Sequence, residues 1–322
     1  MPLRWLSGLH HLALQGLLPW AALWPPAATD FGDVVLDSAL DPALDAALDA
    51  ALDAAIALAW SAQRQTLQGA LAGPPQTNEV QRSAVLLPGL LYLAQQTPWP
   101  LALLEIGASA GLNLWPDQYR YEGVGPHAAW TWGDPASGLT LRPQWSGAAP
   151  PQSELHIHWR AGCDALPVDL NDAAQALRLA SYVWPEQQDR LARLRAAQTI
   201  VRRCMASAGL SLQAAAAATF VRQQLAQRRP KQTTVLMHSV VWQYLAAAEQ
   251  ADISAQMLQA GRAASAQAPL AWLRMEPADD AGTTELRCRL WSGAADDGAD
   301  LLLARAHPHG ASVDWCLGDG TR

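Results

Sequence analysis

The chain has a single lysine, Lys231, and only two phenylalanines among its 322 residues. Since that lysine lies outside any G-x-x-x-x-G-K motif, a Walker-type phosphate loop is excluded and Schiff-base chemistry has almost no scope. The four cysteines lie far apart and include no C-x-x-C pair, so we expect neither a thiolate zinc site nor a disulfide framework. This cysteine usage favours a reducing, cytoplasmic location.

Long apolar runs and clusters of basic residues are also missing. Without a run of about 18 apolar residues, the sequence predicts no membrane span. The apolar stretch 12–24 contains Gln15 and Pro19 and has no basic front, so we do not expect an export signal. The net charge of −7 argues against nucleic acid as a partner. Half of the residues are hydrophobic, which is typical of a globular protein rather than a disordered one. The expected partner is a small-molecule ligand.

The most informative segment is LALLEIGASAGLNL at residues 101–114. Its apolar run predicts a buried parallel strand, and small residues then follow at every second position, at Gly107, Ser109 and Gly111. Such spacing lets the backbone turn sharply and brings N–H groups close to a ligand. A helix beginning near Leu112 would direct its positive end at that ligand. The segment therefore predicts a nucleotide-like ligand on an α/β sheet.

The same loop also matches G-x-S-x-G, the nucleophile elbow of α/β-hydrolases, with Ser109 as the nucleophile. The order Ser109, then an acidic residue, then a late histidine agrees with that class. However, an elbow normally follows several strands, and no convincing strand precedes Leu101. First-strand placement is typical of dinucleotide and S-adenosylmethionine folds, so a ligand loop is the preferred interpretation. A purely structural glycine-rich turn is the third alternative.

The chain divides into a helical amino-terminal cap at residues 1–97 and an α/β domain at residues 98–322. In the cap, an ALDA repeat places leucines or isoleucine at every fourth position over residues 40–56, which predicts a helix. Asn78 and Gln81 suggest a cap for the next helix, predicted from Arg82 to Ala94, and capping is preferred to ligand contact for the polar residues around Asn78. From residue 98 strands alternate with helices, one of them predicted over residues 212–227, which indicates a mainly parallel sheet. The tail has short strands at 285–291, 301–306 and 312–315, which predict an antiparallel meander.

Strand direction predicts where the polar residues meet. Glu105 and the glycine loop, His238 and Glu276 all follow strands of the parallel sheet, and the meander returns the His307–Gly310 turn to the same edge. Open α/β sheets bind their ligands at this carboxyl edge. We therefore expect one cavity bordered by these groups, with His238, Glu276, His307 and His309 as candidate catalytic residues. Each histidine could instead have only a structural role, in the core or in a turn.

Metal binding is not expected, because no H-x-x-x-H or H-E-x-x-H spacing occurs. Acidic residues in turns supply further candidates for cofactor contacts. Glu122 or Asp134 could accept hydrogen bonds from ribose hydroxyls, and Asp164 could receive an adenine amine. The sequence leaves these alternatives open. The candidate cofactor-binding residues are Glu105, Gly107, Ser109, Gly111, Asn113 and Asp164.

Several motifs together resemble one bacterial family, the uncharacterised domain of unknown function 2332. They are EIGASAGLNL, GDPAS, WRAGCDALPVDL, YVWPEQ, HSVVWQYL, APLAWLRMEP and ARAHPHG. The resemblance covers nearly the entire chain, from Pro2 to Trp315. Family members usually have additional chain before the segment that matches Pro2, so the resemblance implies that this chain lacks an amino-terminal helical piece. It implies no activity.

A more distant resemblance concerns the loop from Glu105 to Gly111, which is similar to the first motif of class I S-adenosylmethionine-dependent methyltransferases. Ser109 stands where that motif has its middle glycine. The resemblance implies a Rossmann-like, methyltransferase-like fold with S-adenosylmethionine as the cofactor and a histidine as an optional base. The alternatives are a serine hydrolase using Ser109 with a late histidine, and a non-catalytic binding module. The oligomeric state is not predicted.

Overall fold

The computed structural model describes residues 2–17, 50, 53, 54, 56–72, 75–126, 129–208, 210–278, 282–294 and 297–317. Most of the predicted ALDA helix lies outside these ranges. The chain separates into two compact units, Met1–Thr77 with Asp169–Arg195 and Asn78–Val168 with Ala196–Arg322. This division places residues 78–97 with the sheet, whereas the sequence analysis assigned them to the helical cap.

We number the helices and strands in chain order. The helices are α1 (Pro2–Leu14), α2 (Arg64–Ala72), α3 (Ser83–Gln96), α4 (Ala173–Ser181), α5 (Gln188–Ala208), α6 (Ala217–Ala226) and α7 (Ala247–Arg262). The strands are β1 (Leu101–Ile106), β2 (Arg120–Gly123), β3 (Trp130–Trp132), β4 (Thr140–Leu141), β5 (Gln144–Ser146), β6 (Ile157–Asp164), β7 (Ser211–Ala214), β8 (Thr233–Ser239), β9 (Leu270–Pro277), β10 (Thr284–Trp291), β11 (Leu301–Ala306) and β12 (Ser312–Trp315).

The first unit is helical in its described residues. Helix α1 packs against α2 and α4, and its residues Leu9 and Leu12 form a buried cluster with Ala59 and Leu67. His10 lies in the same unit, where its Nδ1 hydrogen-bonds the Val183 carbonyl at 2.8 Å. Burial lowers the pKa of this imidazole, so His10 is a neutral structural residue near pH 7.

Within the described residues of the second unit, nine strands form one sheet in the order β5-β12-β11-β10-β9-β8-β1-β6-β7. Strands β7, β6, β1, β8 and β9 are mutually parallel, and β10, β11 and β12 continue as an antiparallel meander. Strand β5 then pairs in parallel with β12. The expected α/β fold, with a mostly parallel sheet and an antiparallel tail, is confirmed.

The connection from β1 to β6 differs from the sequence prediction. No α-helix begins near Leu112 in this described segment; Leu112–Leu114 and Pro116–Gln118 are single-turn 3-10 helices instead. Pro116 explains why the first turn does not continue as an α-helix, because proline lacks an N–H and disfavours helical backbone at the preceding residue. The predicted helix is therefore wrong, and the connection contains a small sheet, β3-β2-β4.

Strand β7 was missed by the sequence analysis, which predicted a helix over 212–227. The structure divides that stretch into β7 and α6. The alanine-rich segment after Gln213 has high helix propensity, and four strand residues are too few to show a period. Pairing of β7 with β6 decides the local structure, and this contact joins residues about 50 positions apart.

Helices cover both faces of the main sheet. On one face, α6 and α7 contribute Phe220, Ile253 and Met257 to a buried cluster with Leu236 and other strand residues. On the opposite face, α3 packs against β9 and β10, where a Cβ at Gly89 would lie 2.7 Å from a Leu273 methyl. This close approach requires glycine in the helix. Among the described residues, no helix combines the length and apolar character needed to cross a bilayer.

Candidate functional site at the carboxyl edge of the sheet

The predicted site residues lie at the carboxyl edge of the main sheet. Strands β1, β8 and β9 end there, and β11 runs in the same direction because two antiparallel pairings separate it from β9. The glycine loop, His238, Glu276 and the His307–Gly310 turn therefore share this edge. Among the described residues, His238 and Glu276 line one cavity and His307 lines another, and residues 107–111 line neither of these two. That one cavity joins all of these groups stays a prediction.

The glycine loop has left-handed backbone at Gly107, Ser109 and Gly111, with φ of 66°, 52° and 71°. A Cβ at Gly107 would lie 2.4 Å from a Val241 methyl, so the loop after β1 packs directly against the segment after β8. Ser109 is 2% exposed. Burial of this serine, and the missing helix after the loop, are unfavourable for the geometry of a hydrolase elbow.

The amides of this loop already have acceptors within the protein. Ala108 N donates to the Cys163 carbonyl at 3.0 Å, and Gly111 N donates to the Ala108 carbonyl at 2.7 Å. Ser109 N donates to Asp164 Oδ2 at 3.0 Å. A phosphate held by such a loop would need free N–H groups. The loop is therefore not a preformed anion cradle.

Asn78 supplies the remaining acceptor. Its Oδ1 accepts hydrogen bonds from Ala110 N at 3.2 Å and from Leu112 N at 3.1 Å. The sequence analysis assigned Asn78 to a helix cap, but the cap of the next turn is Glu79, whose Oε1 accepts from Gln81 N. Asn78 instead holds a loop more than 30 residues away, a contact that only the fold creates.

The segment after Asn78 also joins the two other parts of the edge. Arg82 donates to the Ser239 carbonyl at the end of β8 and to the Pro308 carbonyl in the late turn. Gln81 Nε2 donates to the Gly310 carbonyl at 3.3 Å. Residues 78–82 thus form a polar segment across the carboxyl edge. Their polar composition was the sequence signal for a role at this edge, although it was interpreted as the cap of the following helix.

Glu105 is the most deeply buried acidic residue of the site, with 2% exposure. Burial, followed by the charge of Asp164, raises the pKa of its carboxyl well above 4.5, against a hydrogen bond from Asn113 and the charge of Arg82. Within the described chain, Glu105 Oε2 has no hydrogen-bond partner. Folding therefore favours the protonated form of this carboxyl, and one of its oxygens is available to a ligand.

Asp164 ends β6, the strand beside β1. One carboxylate oxygen accepts from Ser109 N and the other from Leu166 N, both at 3.0 Å. The other two acidic candidates belong to the small sheet and its turn. Glu122 pairs with Arg142 at 2.9 Å, and Asp134 accepts from Ala136 N in a local turn. Of the three, only Asp164 contacts the glycine loop in these bonds.

His238 and Glu276 form a buried pair. His238 Nδ1 lies 2.6 Å from Glu276 Oε1, and its Nε2 lies 3.0 Å from Trp272 Nε1. Since an indole nitrogen can only donate, His238 Nε2 must be the acceptor and Nδ1 carries the proton. Glu276 also accepts from the backbone N–H groups of Val241 and Trp242. Neither nitrogen of His238 is placed to take a proton, so this geometry does not support a base role for His238.

The two late histidines are more accessible. His307 Nδ1 accepts from the His309 backbone N–H at 3.1 Å, which closes the turn. The His309 side chain is 52% exposed, and its Nδ1 lies 3.8 Å from Glu79 Oε2. A buried carboxylate beside an accessible imidazole is an arrangement suited to accepting a proton. Of the three predicted histidines, His309 fits a base role best.

Gly310 allows this turn to pack on the polar segment. Its φ is 73°, and a Cβ would lie 2.4 Å from the Gln81 carbonyl oxygen. We expect Gly310→Ala to lower the free energy of unfolding by about 1–3 kcal/mol, because left-handed backbone and a backbone clash both oppose a side chain. Chemical denaturation measures this loss. Gly138→Ala is the control, since a Cβ there meets nothing within 4 Å; equal losses in both variants would contradict the prediction.

A family model described as an uncharacterized protein conserved in bacteria, DUF2332, matches residues 1–315. The chain belongs to this family. Comparisons with curated proteins and with solved structures gave no match. The DUF2332 assignment agrees with the motifs found in the sequence, and it brings no activity with it. Function must therefore be argued from the site.

Metal and thiol chemistry find little support in the described part of this DUF2332 protein. No group of three or more histidine, cysteine or acidic side chains lies close enough there to hold a metal ion. Burial raises the pKa of the Cys163 and Cys288 thiols to about 12. Buried thiols of this kind are poor nucleophiles at neutral pH.

Proposed function

We propose that this DUF2332 protein is a methyltransferase-like enzyme with a Rossmann-like sheet that uses S-adenosylmethionine and a small substrate. The order of its parallel strands supports this most. Across the sheet, the parallel strands stand in the order β7-β6-β1-β8-β9. If these five strands are numbered 1 to 5 along the chain, this order is 3-2-1-4-5. This is the order of doubly wound nucleotide-binding sheets, whose ligand lies where the order reverses. That point is between β1 and β8, beside the glycine loop.

The chemistry of the loop favours S-adenosylmethionine over a dinucleotide. A pyrophosphate needs backbone N–H donors and a helix N-terminus, but the loop amides are engaged and a 3-10 turn follows. S-adenosylmethionine has no phosphate and carries an ammonium and a sulfonium. Asp164 at the end of β6 offers carboxylate oxygens to such a ligand, and buried Glu105, with an unpartnered oxygen, would ionise beside a bound ammonium. Glu105 would face the ammonium, and Asp164 would accept from the ribose hydroxyls.

Methyl transfer requires alignment of two molecules and, for many substrates, a base. When bound, the cofactor supplies an electrophilic methyl group on its sulfonium. His309, supported by Glu79, would take the proton that the substrate atom releases. Glu276 and His238 would hold the segment after β8, since Glu276 binds the amides of Val241 and Trp242.

Binding of S-adenosylhomocysteine tests the proposal most directly. We expect heat on titration of the wild-type protein and an affinity at least about tenfold lower for Asp164→Asn, because a charged acceptor of ribose hydroxyls is lost. Asp134→Asn is the matched control, since Asp134 lies in a local turn. NADH should give no heat.

Absence of heat with millimolar S-adenosylmethionine and S-adenosylhomocysteine, from folded protein, would reject the methyltransferase proposal. Equal losses in Asp164→Asn and Asp134→Asn would reject the placement of the ribose. In the first case the carboxyl edge would need a different ligand, or the sheet would serve as a binding module; in the second, another residue would have to hold the ribose.

A serine hydrolase is the second candidate, favoured by one observation. The φ of 52° at Ser109 resembles the strained backbone of a nucleophile elbow. A fluorophosphonate probe would label Ser109 in the wild type and fail to label Ser109→Ala. The 2% exposure of Ser109 leads us to expect no labelling of either protein.

A further inference from the structure

A cavity of about 420 Å³ lies on the face of the sheet beside α7, over β8, β9 and β10. This volume is within the range of small-molecule sites, roughly 300–1,000 Å³. Its polar lining comes from alternate residues of β9 and β10, which face the same side of a sheet. The lining includes Trp242, Leu258, Trp272, Arg274, Arg287 and Arg289.

Three guanidinium groups line this cavity. Their side chains are 20%, 36% and 28% exposed for Arg274, Arg287 and Arg289, so solvent and a solute can reach them. The carboxylates that line the cavity are Glu276, engaged by His238 and two amides, and Glu285, paired with Arg287 at 2.7 Å. With the adjacent Asp300, which pairs with these arginines, three carboxylates face the three guanidinium groups.

The arginines are not saturated by their acidic neighbours. Asp300 is shared among all three, bonding Arg274 closely and lying 3.4 Å from Arg289 and 3.9 Å from Arg287. Glu285 is also shared with Arg305, at 3.3 Å. Within the described residues, the buried Nε atoms of Arg274 and Arg289 have no hydrogen-bond partner. Guanidinium donors that lack an acceptor favour a carboxylate or phosphate ligand, which accepts hydrogen bonds in the fork geometry of arginine.

Aromatic rings form the inner wall. Trp242 stacks on His238 with ring centroids 5.1 Å apart and an angle of 15°, and it meets Trp272 edge-on at 5.6 Å. Arg274 lies over the Trp272 ring at 4.8 Å. Flat rings beside guanidinium groups provide a surface for a planar ligand and a fork for its acidic group.

We propose that this cavity binds a small, planar organic anion, held by the arginines of β9 and β10 and by the Trp242 and Trp272 rings. The proposal does not rest on methyl transfer. The site is joined to the glycine loop through Val241, whose amide donates to Glu276 at 3.2 Å and whose side chain packs on Gly107. An occupied cavity could therefore influence the carboxyl edge.

Titration calorimetry with benzoate and phenyl phosphate, and with neutral benzamide as the control ligand, tests the proposal. We expect both anions to bind the wild-type protein and benzamide to bind at least about tenfold more weakly. Arg289→Gln should weaken both anions by about tenfold or more. Arg222→Gln is the matched control, since Arg222 is an exposed arginine paired with Asp252 outside the cavity.

A second pair of variants keeps the arginines intact. Leu258 lines the cavity and is 41% exposed, so Leu258→Glu and Leu258→Lys should both fold. The glutamate should weaken benzoate binding and the lysine should strengthen it. Absence of heat from the wild type with either anion at about 10 mM, roughly ten-thousandfold above a micromolar Kd, would overturn the proposal. Equal losses of binding in Arg289→Gln and Arg222→Gln, or equal effects of the two Leu258 variants, would overturn it as well. S-adenosylhomocysteine binding should persist in Arg289→Gln, which separates the two proposals.

Discussion

Replacement of Asn78 by alanine is expected to lower the free energy of unfolding by about 2–4 kcal/mol. The variant removes the oxygen that accepts from Ala110 N and Leu112 N, and both of those residues are buried. Each buried donor left without an acceptor costs about 1–3 kcal/mol. Chemical denaturation followed by circular dichroism measures the loss.

Asn78→Asp provides the control, because it keeps an acceptor oxygen at the same position and should recover most of the lost stability. Asn171→Ala, at an exposed turn position, should change stability by less than about 0.5 kcal/mol. If Asn78→Ala were as stable as Asn171→Ala, the polar segment would not be what holds the glycine loop. Its placement across the carboxyl edge would then have no energetic importance.

Replacement of Glu105 by glutamine is expected to stabilise the protein, increasingly so at higher pH. The pKa of this buried carboxyl is raised well above its value of 4.5 in an unfolded chain, so folding favours the protonated form. Protonation stabilises the fold fully below the unfolded pKa, and this effect is lost as the pH rises through the folded pKa. Above the unfolded pKa, the wild type loses up to about 1.4 kcal/mol for each pH unit until the folded pKa is reached.

Urea denaturation of the wild type and Glu105→Gln at pH 4, 7 and 9 measures this effect. The two proteins should be nearly equal at pH 4, and the difference should be larger at pH 7 and 9. Glu154→Gln is the control, since the Glu154 side chain is 89% exposed and should show no such trend. A difference that is constant with pH would mean that Glu105 is not kept protonated by the fold.

This carboxyl also connects stability with the proposed cofactor. A bound ammonium beside Glu105 would lower the pKa of the carboxyl, so binding should release a proton. Calorimetry in buffers of different ionisation enthalpy detects that release. The buffer dependence should disappear in Glu105→Gln, which would retain the fold while losing the titrating group.

Much of the main sheet could be predicted from local sequence. The mostly apolar strands at 101–106 and 233–239 are buried along their whole length, and that environment leaves a strong hydrophobic signal. The antiparallel tail was equally clear, because short strands joined by short connections must pair with their neighbours. From these directions alone, the sequence predicted that Glu105, His238, Glu276 and His307 share one edge.

The detailed site could not be predicted in this way. Asn78 and Arg82 were interpreted as parts of a helix start, but they bind atoms more than 30 and 150 residues away. His238 looked like a base, yet its protonation is decided by Trp272 and Glu276 on the next strand. Side chains with several possible partners leave no periodic signal, because their partners depend on the fold.

The sequence by itself determined the strand directions and therefore the edge at which the polar residues gather. Apolar runs and glycine spacing are local patterns of neighbouring residues, so they can be recognised in a single sequence. Only the tertiary structure decided that Asn78 and Asp164 occupy the loop amides, that Glu105 keeps an unpartnered oxygen, and that arginines of β9 and β10 surround a cavity. Burial and hydrogen-bond partners are properties of packed strands and helices, and they exist only when distant segments meet.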